Sequence, residues 1–342
     1  MKFDVVVGNP PYQEDSVGES TSNAPVYNYF MDMAYNLAEK AILITPARFL
    51  FNAGATSKIW NEKMLKDTHL KVLFFESDAK RVFPTTSIPG GVAITYHDLS
   101  KKFSPISIFT PNPIVTQILD KIIISNKTLD SLVSGRGVYK LSRKALLEIP
   151  EIEKIQSKGH SRDVGTGAFN IMNEIVFFDE ERHDDEYVKI YGLKNSKRTF
   201  MWMKKSYLDY PDSFTKYKVF ISKANGAALK NKSIVGAPIV AEKNVGATET
   251  FITIGGFDTE IEAENLAKYI KTKFVRFLVS VLKVTPNNTR DTWAKVPIQN
   301  FTNQSDILWN NAILEIDRQL FNKYGLDENE IAYISENIKE MI

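Results

Sequence analysis

The residues with the clearest chemical potential lie in the first segment of the chain, FDVVVGNPPYQ (3–13). A short β-branched run ends at Gly8, after which Asn9 offers a side-chain carbonyl and Pro10 a backbone carbonyl. Fixed proline dihedral angles hold both acceptors rigidly, so together they can accept both hydrogens of an exocyclic amino group. Such bonds localise the lone pair on the nitrogen, while Tyr12 supplies an aromatic face for a flat ring. The segment therefore favours a site for a planar amine.

The same composition is also typical of a turn. Two prolines after an asparagine make a stiff, extended exit from a strand, and Asn9 would then satisfy only local backbone groups. A functional role instead requires a strand that ends at the carboxyl edge of a sheet, where open α/β folds bind ligands. Both interpretations remain open at the level of this segment.

The first 125 residues have the pattern of alternating strands and helices. We expect strands at 3–7, 41–46, 70–76 and 92–98, and helices after Pro25, at 55–67 and at 111–124. In the first helix the apolar residues are Phe30, Met33, Ala34 and Leu37, at helical spacing. Strands separated by helices favour a mainly parallel, helix-covered sheet.

The pattern of the sequence changes after this region. From about 126 to 260 the strands are short, the turns are many, and basic residues alternate with aromatic ones. Residues 258–283 read as one helix, and two shorter helices are expected at 306–323 and 327–340, with Gly325 at a helix C-terminus. The predicted domains are thus 1–125, 126–300 and 301–342.

Charge is distributed unevenly along the chain. Residues 187–250 contain 12 Lys or Arg against 4 Asp or Glu, whereas residues 301–342 contain 3 against 8. A basic middle segment indicates binding to a polyanion, although a solvated lysine-rich surface explains it equally well. The acidic run DEERHDDE (179–186) is interpreted as a solvated loop. The lysines expected in or beside turns, as contacts to phosphate would be, are Lys204, Lys205, Lys216, Lys218, Lys223, Lys230 and Lys232.

Composition excludes several classes of protein. The chain has no cysteine, which excludes disulfides and thiolate chemistry and fits a reducing cytoplasm. No apolar run approaches the roughly 18 residues of a membrane span, and no secretory leader precedes the first strand. The four histidines are scattered without metal-ligand spacing, so neither a metal site nor a nuclease site is expected.

Several blocks of the sequence resemble one family. DVVVGNPPYQ (4–13) resembles motif IV of the S-adenosylmethionine-dependent amino-methyltransferases, chiefly the N6-adenine DNA methyltransferases, although similar motifs occur in enzymes that methylate protein glutamine or ribosomal RNA. AILITPARFLF (41–51), FFESDAKRVFP (74–84) and SIPGGVAITYHDL (87–99) resemble the blocks that follow it in restriction–modification methylases. Later segments resemble the target-recognition half of gamma-class enzymes of type II systems, namely YKVFISKANG (217–226), 257–283, WAKVPIQNFT (293–302) and 323–334.

The resemblance implies a fold and an activity. The fold would be α/β, a partial Rossmann-like methyltransferase sheet followed by a mixed, mostly β target-recognition domain and a short helical tail. The activity would be site-specific methylation of adenine N6 in double-stranded DNA by base flipping, with S-adenosylmethionine as methyl donor and no metal. The implied catalytic motif is Asn9, Pro10, Pro11 and Tyr12. Tyr12 would stack on the flipped base, with Tyr96 or, in reserve, Phe83 as the second ring; core packing is the alternative for both.

The cofactor site of that family is not evident in this sequence. Gamma-class enzymes carry a glycine-rich turn ahead of NPPY, whereas only eight residues precede Asn9 here. RDVGTGAFN (162–170), with Asp163, Gly165 and Gly167, is the best substitute, but no buried strand leads into it, and we interpret it as a turn. The cofactor-binding residues are therefore unknown.

Three explanations fit a methylase sequence without that turn. A separate cofactor-binding subunit completes the enzyme, or the gene is truncated, or the chain is a DNA-binding specificity protein that does not methylate. The first two predict an exposed apolar sheet edge around 3–7, which a partner covers. A cognate restriction endonuclease is a further expected partner. RNA or a protein glutamine is an alternative substrate, disfavoured by the large basic segment after residue 126.

Overall fold

The computed structural model describes residues 3–14, 24–52, 55–86, 88–122, 127–135, 137–157, 159–224, 234–283 and 287–341. The chain divides into two compact units, Met1–Thr116 and Gln117–Ile342. Within the described ranges, none of the helices has the length and apolar character needed to cross a membrane.

The first unit is built around one four-stranded sheet. Its elements are β1 (Phe3–Gly8), α1 (Tyr27–Leu37), β2 (Ala38–Pro46), α2 (Lys58–Lys66), β3 (Leu70–Glu76) and β4 (Val92–Asp98), and α3 (Pro113–Ile122) follows them. The strand order is β1-β2-β4-β3. β1 pairs with β2 in parallel, and β4 is antiparallel to both of its neighbours.

The expected mainly parallel sheet is therefore only partly correct. Three strands point the same way, but β1–β2 is the one parallel pairing among the described strands of this sheet. The reason lies in the connection 77–91, which contains a short 3-10 helix (Ala79–Arg81) rather than an α-helix. Parallel neighbours need a crossover that is usually helical, whereas β3 and β4 are direct neighbours and pair antiparallel.

Helix α1 buries a different stripe from the one that its spacing predicted. Tyr27, Met31 and Ala34 are buried, whereas Met33 is 49% exposed and Leu37 is 38% exposed. The helix packs on one face of the sheet through Tyr27, whose ring lies against Phe49 and Trp60. The helix expected after Pro25 is confirmed, but several of its apolar residues satisfy the same spacing, and packing decides which of them is buried.

One face of this sheet carries the hydrophobic core and the other does not. α1 and α2 cover the side that includes Leu43 and Ala93. On the opposite side of edge strand β1, Phe3, Val5 and Val7 are 51%, 48% and 71% exposed. The same exposure continues on β3 at the other edge of the sheet, where Leu73 and Phe74 are 51% and 44% exposed. The predicted exposed apolar edge at 3–7 is confirmed.

The second unit contains three small sheets and most of the helices. Its strands are β5 (Lys140–Leu141), β6 (Tyr187–Lys194), β7 (Lys197–Lys204), β8 (Leu208–Asp209), β9 (Tyr217–Ser222), β10 (Ile239–Ala241), β11 (Val245–Ala247) and β12 (Phe251–Phe257). Its helices are α4 (Arg143–Glu148), α5 (Glu151–Ile155), α6 (Ala168–Ile171), α7 (Glu260–Lys271), α8 (Lys273–Leu282), α9 (Ile313–Lys323) and α10 (Glu328–Asn337). The sheets have the orders β10-β9-β12, β11-β6-β7 and β5-β8.

The segment expected as one helix at 258–283 forms two helices. The chain is extended at Thr272, whose side chain accepts a hydrogen bond from the Val275 N–H and so caps α8. Buried Asp317 accepts hydrogen bonds from the Lys273 and Phe274 N–H groups at 3.0 and 2.9 Å. A carboxylate at a helix N-terminus satisfies groups that have no partner within the helix. The break is therefore stabilised by a residue from α9, 43 positions further along the chain.

Candidate functional site

The NPPY segment leaves the sheet at the carboxyl edge of β1, where Gly8 pairs with Leu43 of β2. A Cβ atom on Gly8 would meet only Leu43 Cδ2, at 3.7 Å, so packing within the chain does not itself require glycine here. Asn9 is exposed. Within the described residues its carboxamide makes no hydrogen bond, and no N–H donates to the Pro10 carbonyl. The turn interpretation gave Asn9 a local backbone partner, and the described residues provide none.

Tyr12 is fixed by a short ladder with the chain in front of α1. The Val26 N–H donates to the Tyr12 carbonyl at 3.2 Å, and Glu14 N–H donates to Ala24 at 2.9 Å. Burial raises the pKa of the Tyr12 phenol, so its ring is neutral at neutral pH. Its hydroxyl is buried and has no hydrogen-bond partner among the described residues. The motif thus holds an uncharged aromatic ring beside the free acceptors.

The two aromatic residues expected to complete the base site have different positions. The Phe83 ring contacts Tyr12 edge to face, with centroids 6.5 Å apart and planes inclined by 66°. Tyr96 lies in the row Val7–Ile42–Tyr96 across the sheet, and its hydroxyl donates to Asp98. Because β4 is antiparallel to β2, this bond directs Tyr96 away from the edge at which NPPY leaves. Phe83 is therefore the ring that the structure brings to Tyr12.

Tyr96 belongs to a polar cluster at the opposite edge of the sheet. Hydrogen bonds from Ser100 and Tyr96 lower the pKa of Asp98 to about 2, so this carboxylate is ionised. The bond to Asp98 in turn raises the pKa of the Tyr96 phenol. The nearest ring to Tyr96 is Phe103, at 6.1 Å between centroids.

A cleft of about 260 Å³ lies beside the motif. We call it the Tyr12 cleft. Its walls come from several segments of the first unit, and they include Tyr12, Gln13, Tyr27, Pro46, Arg48 and Pro89. Asn9 and Pro10 are not part of the lining, so of the NPPY motif only Tyr12 borders the cleft. Sequence reasoning missed Arg48, although AILITPARFLF placed it directly after a strand end.

Two of the lysines expected to bind phosphate, Lys204 and Lys205, are engaged in ion pairs with the acidic run 179–186, as is Lys194, which was not in that set. The pairs are Lys204 with Asp184 at 3.1 Å, Lys204 with Asp185 at 3.7 Å, Lys205 with Glu186 at 2.8 Å and Lys194 with Asp179 at 2.6 Å. Lys216 pairs with Asp258 at 2.9 Å. The interpretation of 179–186 as a solvated loop is confirmed, since all eight residues are exposed and none lies in a helix or strand, and four of its carboxylates also pair with nearby lysines.

The remaining lysines of that set divide into three cases. Lys223 is half-buried beside Thr250, with its backbone N–H donating to the Thr250 carbonyl at 2.8 Å. Lys230 and Lys232 lie outside the described residues. Lys218 is completely buried on β9, so its assignment as a phosphate contact is corrected.

Lys218 has a structural role instead. Its Nζ donates to the carbonyls of Phe214, Lys216 and Glu242 at 3.0, 3.0 and 2.8 Å. The sequence pattern could not distinguish this lysine from its exposed neighbours. When both faces of a sheet are covered, the alternation of side chains along a strand does not show which of them reach solvent.

A basic and aromatic surface that the sequence analysis did not single out lies on the hairpin formed by β6 and β7. One face of this hairpin enters the core through Val188, Ile190, Met201 and Met203. On the other face Lys189 lies over the Trp202 ring at 5.0 Å, and Phe200 is 43% exposed. Arg198 is exposed and lies near the turn. We call these four side chains, Lys189, Arg198, Phe200 and Trp202, the hairpin surface.

The glycine-rich candidate for a cofactor turn does not fit that role. Cβ atoms on Gly165 and Gly167 would meet no atom within 4 Å, so no close approach requires glycine at either position. Asp163 is occupied by His160 at 2.7 Å and by Lys140 at 3.2 Å, and these partners lower its pKa. The helix that follows has only four residues. The described ranges also contain no group of three or more His, Asp or Glu that could hold a metal ion.

Comparison with known proteins bears on the first unit. Residues 1–83 match the family model described as Eco57I restriction-modification methylase. An uncharacterized adenine-specific methylase of Mycoplasma pneumoniae (strain ATCC 29342 / M129 / Subtype 1) is 33% identical over 95 residues, which are 27% of this chain and 22% of that protein. The NPPY-containing part of the chain is similar to restriction–modification methylases. The chain spans about a fifth of the length of this relative.

Solved structures align over nearly the whole chain at low similarity. The type IIG restriction endonuclease BpuSI is 12% identical, with a TM-score of 0.33, over 98% of this chain and 53% of that one. The Type IIL restriction-modification enzyme MmeI, solved in complex with DNA, is 10% identical, with a TM-score of 0.29, over 98% and 56%. The chain spans about half the length of each. Scores at this level carry no argument about fold or function.

The buried lysine generates a prediction about pH. Burial lowers the pKa of Lys218 to about 7, so above that pH the folded chain binds fewer protons than the unfolded chain. The free energy of unfolding should therefore rise with pH between about 7 and 10, by up to about 1.4 kcal/mol per pH unit. Urea unfolding of the wild type and of Lys218→Met at pH 8 and 9 measures this, because the variant lacks the effect.

Lys216→Met serves as the matched control, since Lys216 is only partly buried and pairs with Asp258. The prediction would be contradicted if the difference in the free energy of unfolding between the wild type and Lys218→Met does not change with pH. Lys218 would then remain an ammonium group, held by its three carbonyl acceptors.

Proposed function

We propose that this chain carries the target-base site and the DNA-recognition part of a restriction–modification methylase that methylates adenine N6 in DNA, with S-adenosylmethionine as donor. The observation that carries the proposal is the pair of free acceptors on Asn9 and Pro10 at the carboxyl end of β1, beside Tyr12. It is supported by the methylase match of residues 1–83. Double-stranded DNA is the proposed partner.

The chemistry proposed for the motif concerns the amino group of adenine. The Asn9 side-chain carbonyl and the Pro10 backbone carbonyl accept one N6 hydrogen each, which localises the nitrogen lone pair and makes it nucleophilic. Pro11 stiffens the exit from the strand. Because the described residues of this chain do not form a cofactor turn, we assign no further step of the methyl transfer to them.

The proposal requires the base to leave the DNA helix. A flipped base is read by hydrogen bonds and by stacking on aromatic side chains, at a cost of a few kcal/mol for unstacking. The neutral ring of Tyr12 provides the stacking face. Phe83 is the second ring, and rotation of its edge-to-face contact with Tyr12 would admit a base between them. Tyr96 is less suited to this role, since its hydroxyl is held by Asp98.

The hairpin surface is the proposed site of base readout. The major groove of DNA admits a two-stranded β-ribbon, and arginine and lysine recognise guanine there. The ribbon formed by β6 and β7 ends in a two-residue turn, Asn195-Ser196, with φ of 50° and 65°. Lys204 and Lys205 would then position the phosphate backbone beside it, after exchanging the carboxylates of 179–186 for phosphates.

The exposed side of β1 is the proposed contact with a cofactor-binding part. An edge strand presents unpaired backbone groups, and exposed apolar patches mark interaction sites. β1 combines both features through Phe3, Val5 and Val7. A polypeptide segment that adds a strand to β1 and covers this face would complete the sheet. It belongs either to a separate subunit or to a longer form of this protein.

A second candidate function is DNA binding without methylation. It is favoured by the lack of a fitting cofactor turn within the described residues. Under this proposal the hairpin surface would bind DNA, and Asn9 would have no role in any reaction.

Replacing Asn9 tests the chemistry. We expect Asn9→Ala to lower DNA adenine methylation by about a hundredfold to a thousandfold, comparable to the loss of one preorganised hydrogen-bonding group in an active site. DNA affinity should change by less than about twofold, since Asn9 lies outside the proposed recognition surface. Methylation is measured with radiolabelled S-adenosylmethionine in the presence of the cofactor-binding part, and affinity by fluorescence anisotropy.

Asn36→Ala is a matched control for Asn9→Ala, because Asn36 is exposed on α1 and its carboxamide makes no hydrogen bond among the described residues. Retained methylation in Asn9→Ala would exclude the proposed role of this residue.

Neutralising the acidic run tests the DNA surface. The triple variant Asp184→Asn, Asp185→Asn, Glu186→Gln frees Lys204 and Lys205, so we expect DNA affinity to rise about tenfold in 50 mM salt. The slope of log affinity against log salt should steepen by about one to two. The control is the triple variant Glu328→Gln, Glu336→Gln, Glu340→Gln, which makes the same change in net charge in and just after the C-terminal helix α10. An equal rise in both variants would contradict a local role for these lysines.

Calorimetric titration with S-adenosylmethionine tests the proposal that a part outside this chain supplies the cofactor site. We expect the purified chain to release no binding heat at micromolar concentrations, because its described residues form no fitting cofactor turn. Binding heat that saturates at micromolar S-adenosylmethionine would mean that the chain is a self-sufficient enzyme. It would overturn the proposal that a partner bound at β1 completes the cofactor site.

A further inference from the structure

Arg48 places a positive charge in the wall of the Tyr12 cleft. It begins the 3-10 helix Arg48–Phe51, directly after β2 ends at Pro46. Among the described residues no carboxylate lies within ion-pair distance of its guanidinium, and the residue is exposed. Its charge already acts inside the cleft. Burial raises the pKa of the Tyr27 phenol, and the charge of Arg48 works in the opposite direction.

The stem of Arg48 is held by a glycine turn. Gly90 has φ of +88°, and a Cβ atom there would lie 2.6 Å from Arg48 Cγ, so only glycine allows this packing. The backbone is fastened at the same place, since the Ala47 N–H donates to the Gly91 carbonyl at 3.0 Å. Gly91 is itself pressed against β3, where a Cβ atom would lie 2.2 Å from the Glu76 carbonyl. The guanidinium therefore extends from a fixed base.

Tyr12 connects this charge to the NPPY motif. Its ring belongs to the motif and also lines the cleft that contains Arg48. The cleft volume of about 260 Å³ is just below the roughly 300–1,000 Å³ of typical ligand sites, which leaves room for one sugar-phosphate. A base stacked on Tyr12 with its amine at Asn9 would direct its sugar away from the acceptors, toward this cleft.

We propose that Arg48 binds a phosphate of the nucleotide whose base is held at NPPY, so that the site recognises an adenine nucleotide rather than adenine alone. This inference rests on the proposed function. A guanidinium forms paired hydrogen bonds to phosphate oxygens in a fixed geometry, and a side chain positioned before binding loses little freedom when it does so. Gly90 is the positioning residue for Arg48.

The experiment measures how the full chain binds small ligands. 2′-Deoxyadenosine, its 5′-monophosphate and its 3′-monophosphate are titrated into the wild type, Arg48→Gln, Arg48→Lys and Asn9→Ala, with binding followed by NMR chemical shifts. Lys102→Gln is the charge-matched control, since Lys102 is exposed and follows the end of β4 at the opposite edge of the sheet. Thermal melting confirms that each variant is folded.

We expect one of the monophosphates to bind the wild type about tenfold more tightly than the nucleoside, which corresponds to about 1.4 kcal/mol. Arg48→Gln should lose this preference and keep the affinity for the nucleoside. Arg48→Lys should retain part of the preference, because lysine keeps the positive charge but cannot form the paired hydrogen bonds of a guanidinium. Lys102→Gln should bind like the wild type.

The outcomes separate this inference from the proposed function. Equal binding of nucleoside and monophosphates, with nucleoside affinity that depends on Asn9, would overturn the role of Arg48 alone. A phosphate preference that depends on Arg48, with nucleoside affinity unchanged in Asn9→Ala, would support the phosphate site and count against the proposed base site. No binding of any of the three ligands by the wild type would overturn both.

Discussion

The parallel pairing of β1 with β2 is the constraint on which the candidate site depends. Because Gly8 is in register with Leu43, both strands end at the same edge, and the chain leaves them as NPPY and as the segment of Arg48. β4 runs the other way and therefore begins at this edge, where Gly90 packs against Arg48 and the Gly91 carbonyl accepts a hydrogen bond from the Ala47 N–H. Three stretches separated by about 40 residues each are thus brought to one cleft.

The same pairing leaves one side of the sheet open. α1 and α2 both lie on the face that contains Leu43, so the opposite face of β1 has no covering helix among the described residues. Sheets whose strands run parallel are usually covered on both faces, because helical crossovers lie on each side. The exposed row Phe3, Val5 and Val7 thus lies on a sheet face that no helix covers within the described part of this unit.

The net charge of the basic segment in the second unit depends on whether the neighbouring acidic run is included. Residues 187–250 have a balance of +8, but including 179–186 adds six acids and one arginine and lowers it to +3 over 179–250. The structure shows why the longer window is the physical one, since the acidic run pairs with Lys194, Lys204 and Lys205. Exposed pairs of this kind contribute little to stability, so phosphates can replace the carboxylates at low cost.

Local sequence determined the strands β3 and β4 at the predicted residues and the turn at Gly325, because each depends on short-range propensity. The exposed edge at 3–7 was expected instead from the missing cofactor-binding half. Local sequence also marked Asn9–Tyr12 as the chemical segment. Only the tertiary structure decided that β4 is antiparallel, that Phe83 rather than Tyr96 contacts Tyr12, that Lys218 is buried and that Arg48 lines the cleft. The physical reason is that these outcomes depend on which segments become neighbours. Burial and pairing between distant residues leave no local pattern in the chain.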